Sequence, residues 1–419
     1  MSKIENIIEF GDNRTTMKKW KEAGVKIQTC VTSPPYYGLR DYGTAKWEGG
    51  DPNCEHQGKK LSSNNNFSYG GETPEDKIDT HTGRKPNAEA LTTGDCVKCG
   101  AKRIDSQIGL EPTPQEYIDN MVDVFAHVWD IMEDDGTLWI NIGDTYAGGN
   151  GNGSKEQSVG QSKFVKFSSP TSKVEGVRPK NLIGIPWKLA FALQDFGWNL
   201  RQDIIWHKPN PMPESVKDRC TKAHEYIFLL TKKPHYKFNH NAIQEPITDE
   251  TALRMLRGVS DNHKNVNGAP GQTPHSMNQP RPNVRKEFDS SMGGGGTSFV
   301  DHSGYKKADG TLMISETRNK RDVWAVNVKP YKGAHFATYP IELIEPCILA
   351  GSDVGDIVFD PFMGSGTTAQ AALRHHRKYL GCELNTEYKD LQQQRIYAES
   401  FEDPNNDETK EDPLFTFED

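Results

Sequence analysis

Residues able to do chemistry gather in two short segments. One is the run Thr32-Ser33-Pro34-Pro35-Tyr36-Tyr37. Consecutive prolines stiffen the backbone and remove two N–H donors, leaving carbonyl oxygens as pure acceptors. Ser33 adds another acceptor and Tyr36 a flat ring. Acceptors beside a stacking face suit the exocyclic amino group of a base turned out of its duplex; standing alone, the same tetrapeptide is equally an ordinary surface turn. The other segment, Asp-Pro-Phe-Met-Gly-Ser-Gly-Thr-Thr at 360–368, reads as a tight turn from a strand into a helix. Gly364 and Gly366 let a ligand approach the backbone, and the helix start offers unpaired N–H groups to a carboxylate or phosphate. Glu383 ends the next strand, where a carboxylate can accept both hydroxyls of a ribose. Turn and carboxylate together make a nucleoside-binding half-site.

The run Gly364-Ser-Gly-Thr-Thr-Ala also satisfies the loose glycine pattern of dinucleotide-binding folds, so a nicotinamide dehydrogenase competes as a reading. Length disfavours it, because the 36 residues after Glu383 are too few for a second mononucleotide half in sequence order. A third group of residues has metal-ligand spacing: Cys54-x-His56 and Cys96-x-x-Cys99-Gly, with 39 residues between His56 and Cys96. A tetrahedral structural zinc at Cys54, His56, Cys96 and Cys99 would staple a segment that lacks a core, the other reading being unliganded surface cysteines. Pro346-Cys347 lies in an apolar run and reads as a packed helical cysteine rather than a nucleophile. Arg201, His207 and Lys208 flank a strand where they can meet DNA phosphate or the target base, although a solvated charge is the simpler reading of each.

The elements that must position these residues follow from periodicity. Short strands are expected at 7–10 and 25–31, joined by a polar helix reaching about Ala23. Thr113, Pro114 and Glu116 form a capping box with proline at the first helical position. Behind it Ile118, Met121, Val122, Phe125, Val128, Trp129 and Met132 recur at three- and four-residue spacing, the stripe of a helix lying on a sheet. Asp134-Asp135-Gly136 is expected to turn the chain into a strand at 137–142 buried on both faces. A mobile loop at 147–181, a helix at 186–196 and strands at 202–206 and 226–231 follow. Strand, helix and strand alternate again at 356–383, as in a mostly parallel α/β sheet with helices on both faces.

Composition bounds the rest. With 419 residues, a catalytic core plus insertions is expected. No apolar run is long enough for a membrane span, and the opening lacks a signal peptide's basic and apolar regions, so a soluble, cytoplasmic protein without a membrane partner is expected. Seven cysteines are too few for a disulfide framework. The net charge of −8 is concentrated at the end: 402–419 holds eight carboxylates and one lysine. The remainder is nearly neutral, which leaves room for a local DNA-binding surface. Boundaries are expected as follows: 1–45 and 107–238 form the catalytic half, 46–106 a polar insertion with the zinc site, and 239–322 a target-recognition region. Residues 323–401 then form the cofactor half, and 402–419 an acidic disordered tail.

The order Ser33-Pro34-Pro35-Tyr36 first, glycine turn second, resembles the beta-class amino-methyltransferases of DNA. The resemblance implies a permuted Rossmann-like fold that binds S-adenosylmethionine, with double-stranded DNA as substrate in a bacterial or phage-infected cell. It implies catalytic roles for Ser33, Pro34, Pro35 and Tyr36. Cofactor contacts are implied for Asp12, His335, Asp360, Phe362, Gly364, Ser365, Gly366, Thr367 and Glu383. Many members have proline where this chain has Phe336, and His335 can equally cap the helix over 341–349. A serine opening the tetrapeptide resembles the cytosine-N4 enzymes more than the adenine-N6 ones, and adenine stays the alternative. The recognised sequence, any cognate restriction endonuclease and the oligomeric state leave no signature.

Overall fold

The computed structural model describes residues 4–38, 44, 46–56, 59–60, 92–93, 95–104, 106–148, 177–248, 305–306, 312–313, 317–329 and 339–401. His335, 149–176 of the expected loop and the acidic tail lie outside them. The chain divides into two compact units, Met1–Phe238 with Asp322–Asp419, and Asn239–Arg321.

In chain order the first unit contains β1 (Ile7–Phe10), α1 (Asn13–Glu22), β2 (Ile27–Thr32), the short β3 (Lys46–Glu48) and β4 (Lys102–Ile104), α2 (Pro114–Ile131), β5 (Met132–Ile142), α3 (Ile185–Phe196), β6 (Asn199–His207) and β7 (His224–Thr231). It continues with β8 (Val323–Ala325), α4 (Ile341–Gly351), β9 (Ile357–Asp360), α5 (Thr367–Arg374), β10 (Lys378–Glu383) and α6 (Lys389–Phe401). Eight strands form one sheet in the order β1-β10-β9-β2-β5-β7-β6-β8. Every pairing is parallel except those of β7, which runs against both β5 and β6. Strands covered on both faces read as continuous apolar runs, and Ile27, Cys30, Leu138, Ile140, Phe359 and Leu380 are all fully buried. Helices cover both faces, α1, α2 and α3 packing as one group and α4, α5 and α6 as another. This is a permuted Rossmann-like α/β fold.

The capping box stands: Thr113 Oγ1 accepts from Glu116 N at 3.2 Å, with Pro114 opening α2. Ile118, Met121, Phe125 and Val128 are buried, and Val122 and Trp129 pack against that core. Met132, by contrast, already begins β5. The expected turn at 134–136 is present as a bulge inside β5: Ile27 pairs with Met132 and Thr29 with Thr137, and a Cβ on Gly136 would sit 3.0 Å from Glu133 O. Asp134 pairs with Lys232 and Lys233, and Asp135 accepts from Gln28 Nε2 at 3.1 Å, which fastens the bulge to its neighbours. Cys347 is buried inside α4 with its Sγ 3.9 Å from Leu343 O.

In the second unit Glu245–Pro246 pairs with Thr317–Arg318, and Tyr305–Lys306 with Leu312–Met313. Glu245 accepts from Arg318 Nε at 2.8 Å and from Arg321 Nε at 2.6 Å. None of its residues with a described side chain is buried.

Candidate active site

The expected nucleoside half-site lies at the C-terminal ends of β9 and β10. Asp360, 1 % exposed, accepts from Thr32 Oγ1 at 2.6 Å, Thr368 Oγ1 at 2.6 Å, Phe362 N at 2.9 Å and Tyr339 Oη at 3.1 Å. Burial raises its carboxyl above the usual range while these four donors pull it back. The side chain thus fixes the turn from within and does not line the cavity. Gly366, at φ 87°, starts α5 in a left-handed conformation that suits glycine. Ser365, Thr367 and Phe362 face the cavity beside it, and the Ser365 hydroxyl is buried with no partner among the described residues.

Glu383 stands opposite that turn. Its Oε2 accepts from Gly364 N at 2.7 Å and its Oε1 from Asn385 N at 2.8 Å. Burial pushes its carboxyl up to about 7 despite the backbone N–H groups that favour the charged form. Asp12 borders the same space and caps α1, its Oδ1 accepting from Thr15 N at 3.0 Å and its Oδ2 from Arg14 Nη2 at 2.9 Å. Burial opposes ionisation there too, yet Arg14 and the helix N–H group outweigh it and hold Asp12 below the usual carboxylate range.

At the other end stands the tetrapeptide, leaving β2. Ser33, Pro34, Pro35 and Tyr36 all line the cavity. Tyr117 Oη donates to Pro35 O at 2.9 Å. Tyr36 Oη donates to Glu225 Oε2 at 2.6 Å, and Asn141 Nδ2 lies 2.9 Å from Tyr36 Oη, 3.3 Å from Glu225 Oε2 and 3.3 Å from Ser33 Oγ. Burial and the neighbouring Glu225 carboxylate raise the Tyr36 phenol well above its usual range, so it stays a donor. Glu225 is in turn ion-paired with Lys208, whose ammonium sits 4.2 Å over the Trp206 ring.

Asn141, Lys208 and Glu225 escaped the sequence reading or were misjudged by it. Lys208 is no solvated charge: its side chain is 18 % exposed and Glu225's 14 %. The missing signal is geometric, since these residues come from the ends of β5, β6 and β7, which only the antiparallel pairing of β7 brings together. Arg201 instead stacks on Tyr236, 5.5 Å from the ring centroid.

Both poles open into one cavity of about 640 Å³, within the usual range for a small-molecule site. Of the expected site residues, Asp12, the tetrapeptide, Phe362, Gly364, Ser365, Thr367 and Glu383 line it. Asp360 and Gly366 shape it from behind, and His335 lies outside the described residues. The four metal candidates Cys54, His56, Cys96 and Cys99 do converge, with ligand atoms within 4.8 Å of one another.

A profile of the DNA methylase family matches residues 27–394. The type II methyltransferase M.Cfr9I of Citrobacter freundii is 34% identical over 391 residues, covering 93% of this chain and 87% of that protein. M.SmaI of Serratia marcescens is 38% identical over 290 residues, 69% of this chain and 77% of that one. Among solved structures, the PvuII DNA methyltransferase (cytosine-N4-specific) aligns with a TM-score of 0.46 at 14% identity, over 96% of this chain and 89% of that chain. A family match spanning both the tetrapeptide and the glycine turn leaves no place for a dehydrogenase: the chain belongs to the DNA methylase family.

Proposed function

We propose that this protein transfers a methyl group from S-adenosylmethionine to the exocyclic N4 amino group of a cytosine in duplex DNA. The observation that carries the reading is the single cavity, walled at one pole by a nucleoside half-site and at the other by clustered acceptors beside an aromatic ring. S-adenosylmethionine, when bound, supplies a methyl group already activated by its sulfonium. This chain's residues fit that group: Glu383 keeps lone pairs for two ribose hydroxyls beyond those facing Gly364 and Asn385, and the Ser365 hydroxyl awaits a partner.

Towards the base, the residues orient rather than react. An exocyclic amino nitrogen is a weak nucleophile because its lone pair is delocalised into the ring. Ser33 Oγ, steadied by Asn141, and the Pro34 carbonyl accept hydrogen bonds from its two N–H groups, which favours a tetrahedral nitrogen and aims the lone pair at the methyl. As the new N–C bond replaces the methyl–sulfur bond, the nitrogen gives up one of these protons to solvent. Tyr117 already takes one lone pair of the Pro35 carbonyl, which favours Pro34 as the acceptor of the amino group. Positioning of this kind supplies most of the rate gain. Tyr36, pinned by Glu225 and Asn141, offers the face on which the base stacks.

Serine at the head of the tetrapeptide favours cytosine over adenine. Residues 239–322, with their paired Arg318 and Arg321, are the region we assign to reading the DNA sequence, and the bacterial cytoplasm is the expected compartment. No helix among the described residues is long and apolar enough to cross a membrane. Digesting methylated DNA to nucleosides and separating them by chromatography against standards tests the reading. N4-methyldeoxycytidine is expected; N6-methyldeoxyadenosine would move the target to adenine, and no methylated nucleoside at all would overturn the reaction.

A further inference from the structure

We propose that Cys54, His56, Cys96 and Cys99 bind one zinc ion, and that this ion clamps a β-ribbon whose flanking residues form part of the active-site wall. Four donor atoms lie within 4.8 Å of one another. Cys54 Sγ is 4.0 Å from Cys96 Sγ, and His56 Nδ1 is 3.2 Å from Cys99 Sγ. Zinc bonds of ~2.3 Å to sulfur and ~2.0 Å to nitrogen place tetrahedral ligand atoms about 3.5–3.8 Å apart, so these spacings bracket the ion's requirement. Three thiolates and an imidazole form a soft donor set that selects zinc over calcium or magnesium. Four protein ligands close the sphere, leaving no position for water or substrate, which marks a structural ion.

The surrounding backbone is arranged for the ligands. Gly100 N donates to Cys96 O at 2.8 Å and Cys96 N to Ala101 O at 2.7 Å, a tight turn that sets Cys96 and Cys99 side by side. Gly50 passes so near that a methyl group there would sit 2.7 Å from Cys99 Sγ. Trp47 packs on the His56 ring at 5.4 Å between centroids. Among the residues of 46–106 whose burial is described, Cys96 and Ala101 alone are buried, so there is little besides such a crosslink to hold these ends together.

The ribbon connects this cluster to the chemistry. β3 and β4 pair antiparallel, Lys46 with Ile104, Trp47 with Arg103 and Glu48 with Lys102. Immediately beyond the stems, Thr44 on one side and Ser106, Gln107 and Ile108 on the other line the cavity. Gly109 O accepts from Gly38 N at 2.8 Å, tying the returning stem to the loop that carries the tetrapeptide. Losing the ion therefore loosens the wall facing the base and leaves the half-site on β1, β9 and β10 intact. This second part rests on the proposed methyl transfer; the metal site itself does not.

Metal analysis of the full chain purified without chelator should find about one zinc per chain. Cys96→Ser and Cys99→Ser should each remove it. Cobalt in place of zinc should give the intense visible bands of a tetrahedral, thiolate-bound ion. Metal-free protein that is folded and fully active, a six-coordinate cobalt spectrum, or variants that keep their zinc would each overturn the site. Kinetics test the wall: Cys96→Ser should lower kcat/KM for DNA on the order of tenfold or more, while calorimetric affinity for S-adenosylmethionine stays within about twofold. Should the variants fold poorly, stripping zinc from wild type and restoring it should reverse the same loss. Unchanged DNA kinetics without metal, or cofactor binding lost with it, would overturn the clamp. Zinc present in a wild type that methylates no nucleoside would overturn the reaction and leave the site standing.

Discussion

Cofactor affinity should depend on pH through Glu383. Its carboxyl titrates near 7 in the folded chain against an ordinary 4.5. Between those values the folded chain holds a proton that the unfolded chain has released. The group's contribution to stability is therefore complete below about pH 4.5 and falls as pH rises through 7, by ~3 kcal/mol in all. Ribose hydroxyls donate, so they bind the carboxylate better than the acid and drive the proton off. About nine in ten molecules hold the carboxylate at about pH 8 and one in ten at about pH 6, so S-adenosylmethionine should bind about tenfold more weakly at the lower pH. Described residues lining the cavity include no histidine to mimic the effect. Calorimetry near pH 6 in buffers of different ionisation enthalpy should register release of nearly one proton per cofactor. Glu383→Gln should bind about tenfold or more weakly than wild type at about pH 8 and lose the pH dependence. At that pH it should fold about as stably, because the relief of a buried charge offsets the ~1–3 kcal/mol of one backbone N–H left facing an amide. Wild-type affinity that is flat from pH 6 to 8, or a variant that keeps the slope, would refute the role given to this carboxylate.

Separating the ring of Tyr36 from its hydroxyl should separate two effects. Tyr36→Ala should weaken DNA binding by the ~1–3 kcal/mol of a lost base stack, whereas Tyr36→Phe should keep KM for DNA near wild type and lower kcat; equal KM values for the two would remove the stacking role. Ser33→Ala should reduce turnover with cofactor affinity unchanged, and a wild-type rate would remove the tetrapeptide from the active site. Asp360→Ala strands Thr32 Oγ1 and Phe362 N, while Thr368 and Tyr339 keep each other and Val31 O as partners. It should cost ~2 kcal/mol or more of stability in thermal melts; an unchanged Tm would sink its positioning role. Lys208→Met leaves Glu225 as an unpaired, mostly buried charge and should cost ~3–5 kcal/mol. Adding Glu225→Gln should restore stability but not activity, and a double variant as active as wild type would make the pair merely structural.

Local signals survive in a sequence, and those made by distant strand ends do not. The α2 cap was legible because Thr113 and Glu116 stand three residues apart, and the buried strands because parallel sheets require continuous apolar runs. Both halves of the cavity were legible for the same reason: each is one unbroken segment whose residue types match its chemistry. The turn at Asp134-Asp135-Gly136 was legible too, and only its place as a bulge inside β5 needed the pairing with β2 to be seen. The Asn141, Lys208 and Glu225 group stayed hidden because each member is an unremarkable polar residue on its own strand. The resemblance implied Asp360 as a cofactor contact, and its burial among Thr32, Thr368 and Tyr339 needed coordinates to be seen.

The two legible segments, far apart in the chain, meet for a topological reason. β9 and β2 are adjacent and parallel, so the loops leaving their C-terminal ends emerge side by side where the winding of the sheet reverses, the place where open α/β sheets bind ligands. One hydrogen bond, Thr32 Oγ1 to Asp360 Oδ1 at 2.6 Å, ties the last residues of the two strands and so couples the tetrapeptide to the glycine turn. The opening strand is fastened to the same place from the other side. Gly11 N donates to Glu383 O at 2.8 Å and Asn13 Nδ2 to Pro361 O at 3.1 Å, which carries Asp12 to the cofactor pole. The site is thus specified by which strand ends are neighbours and not by the order in which the chain visits them. A cofactor half placed after the catalytic half costs the site nothing, and a long insertion after β2 can be accommodated as long as its two stems return to the same wall.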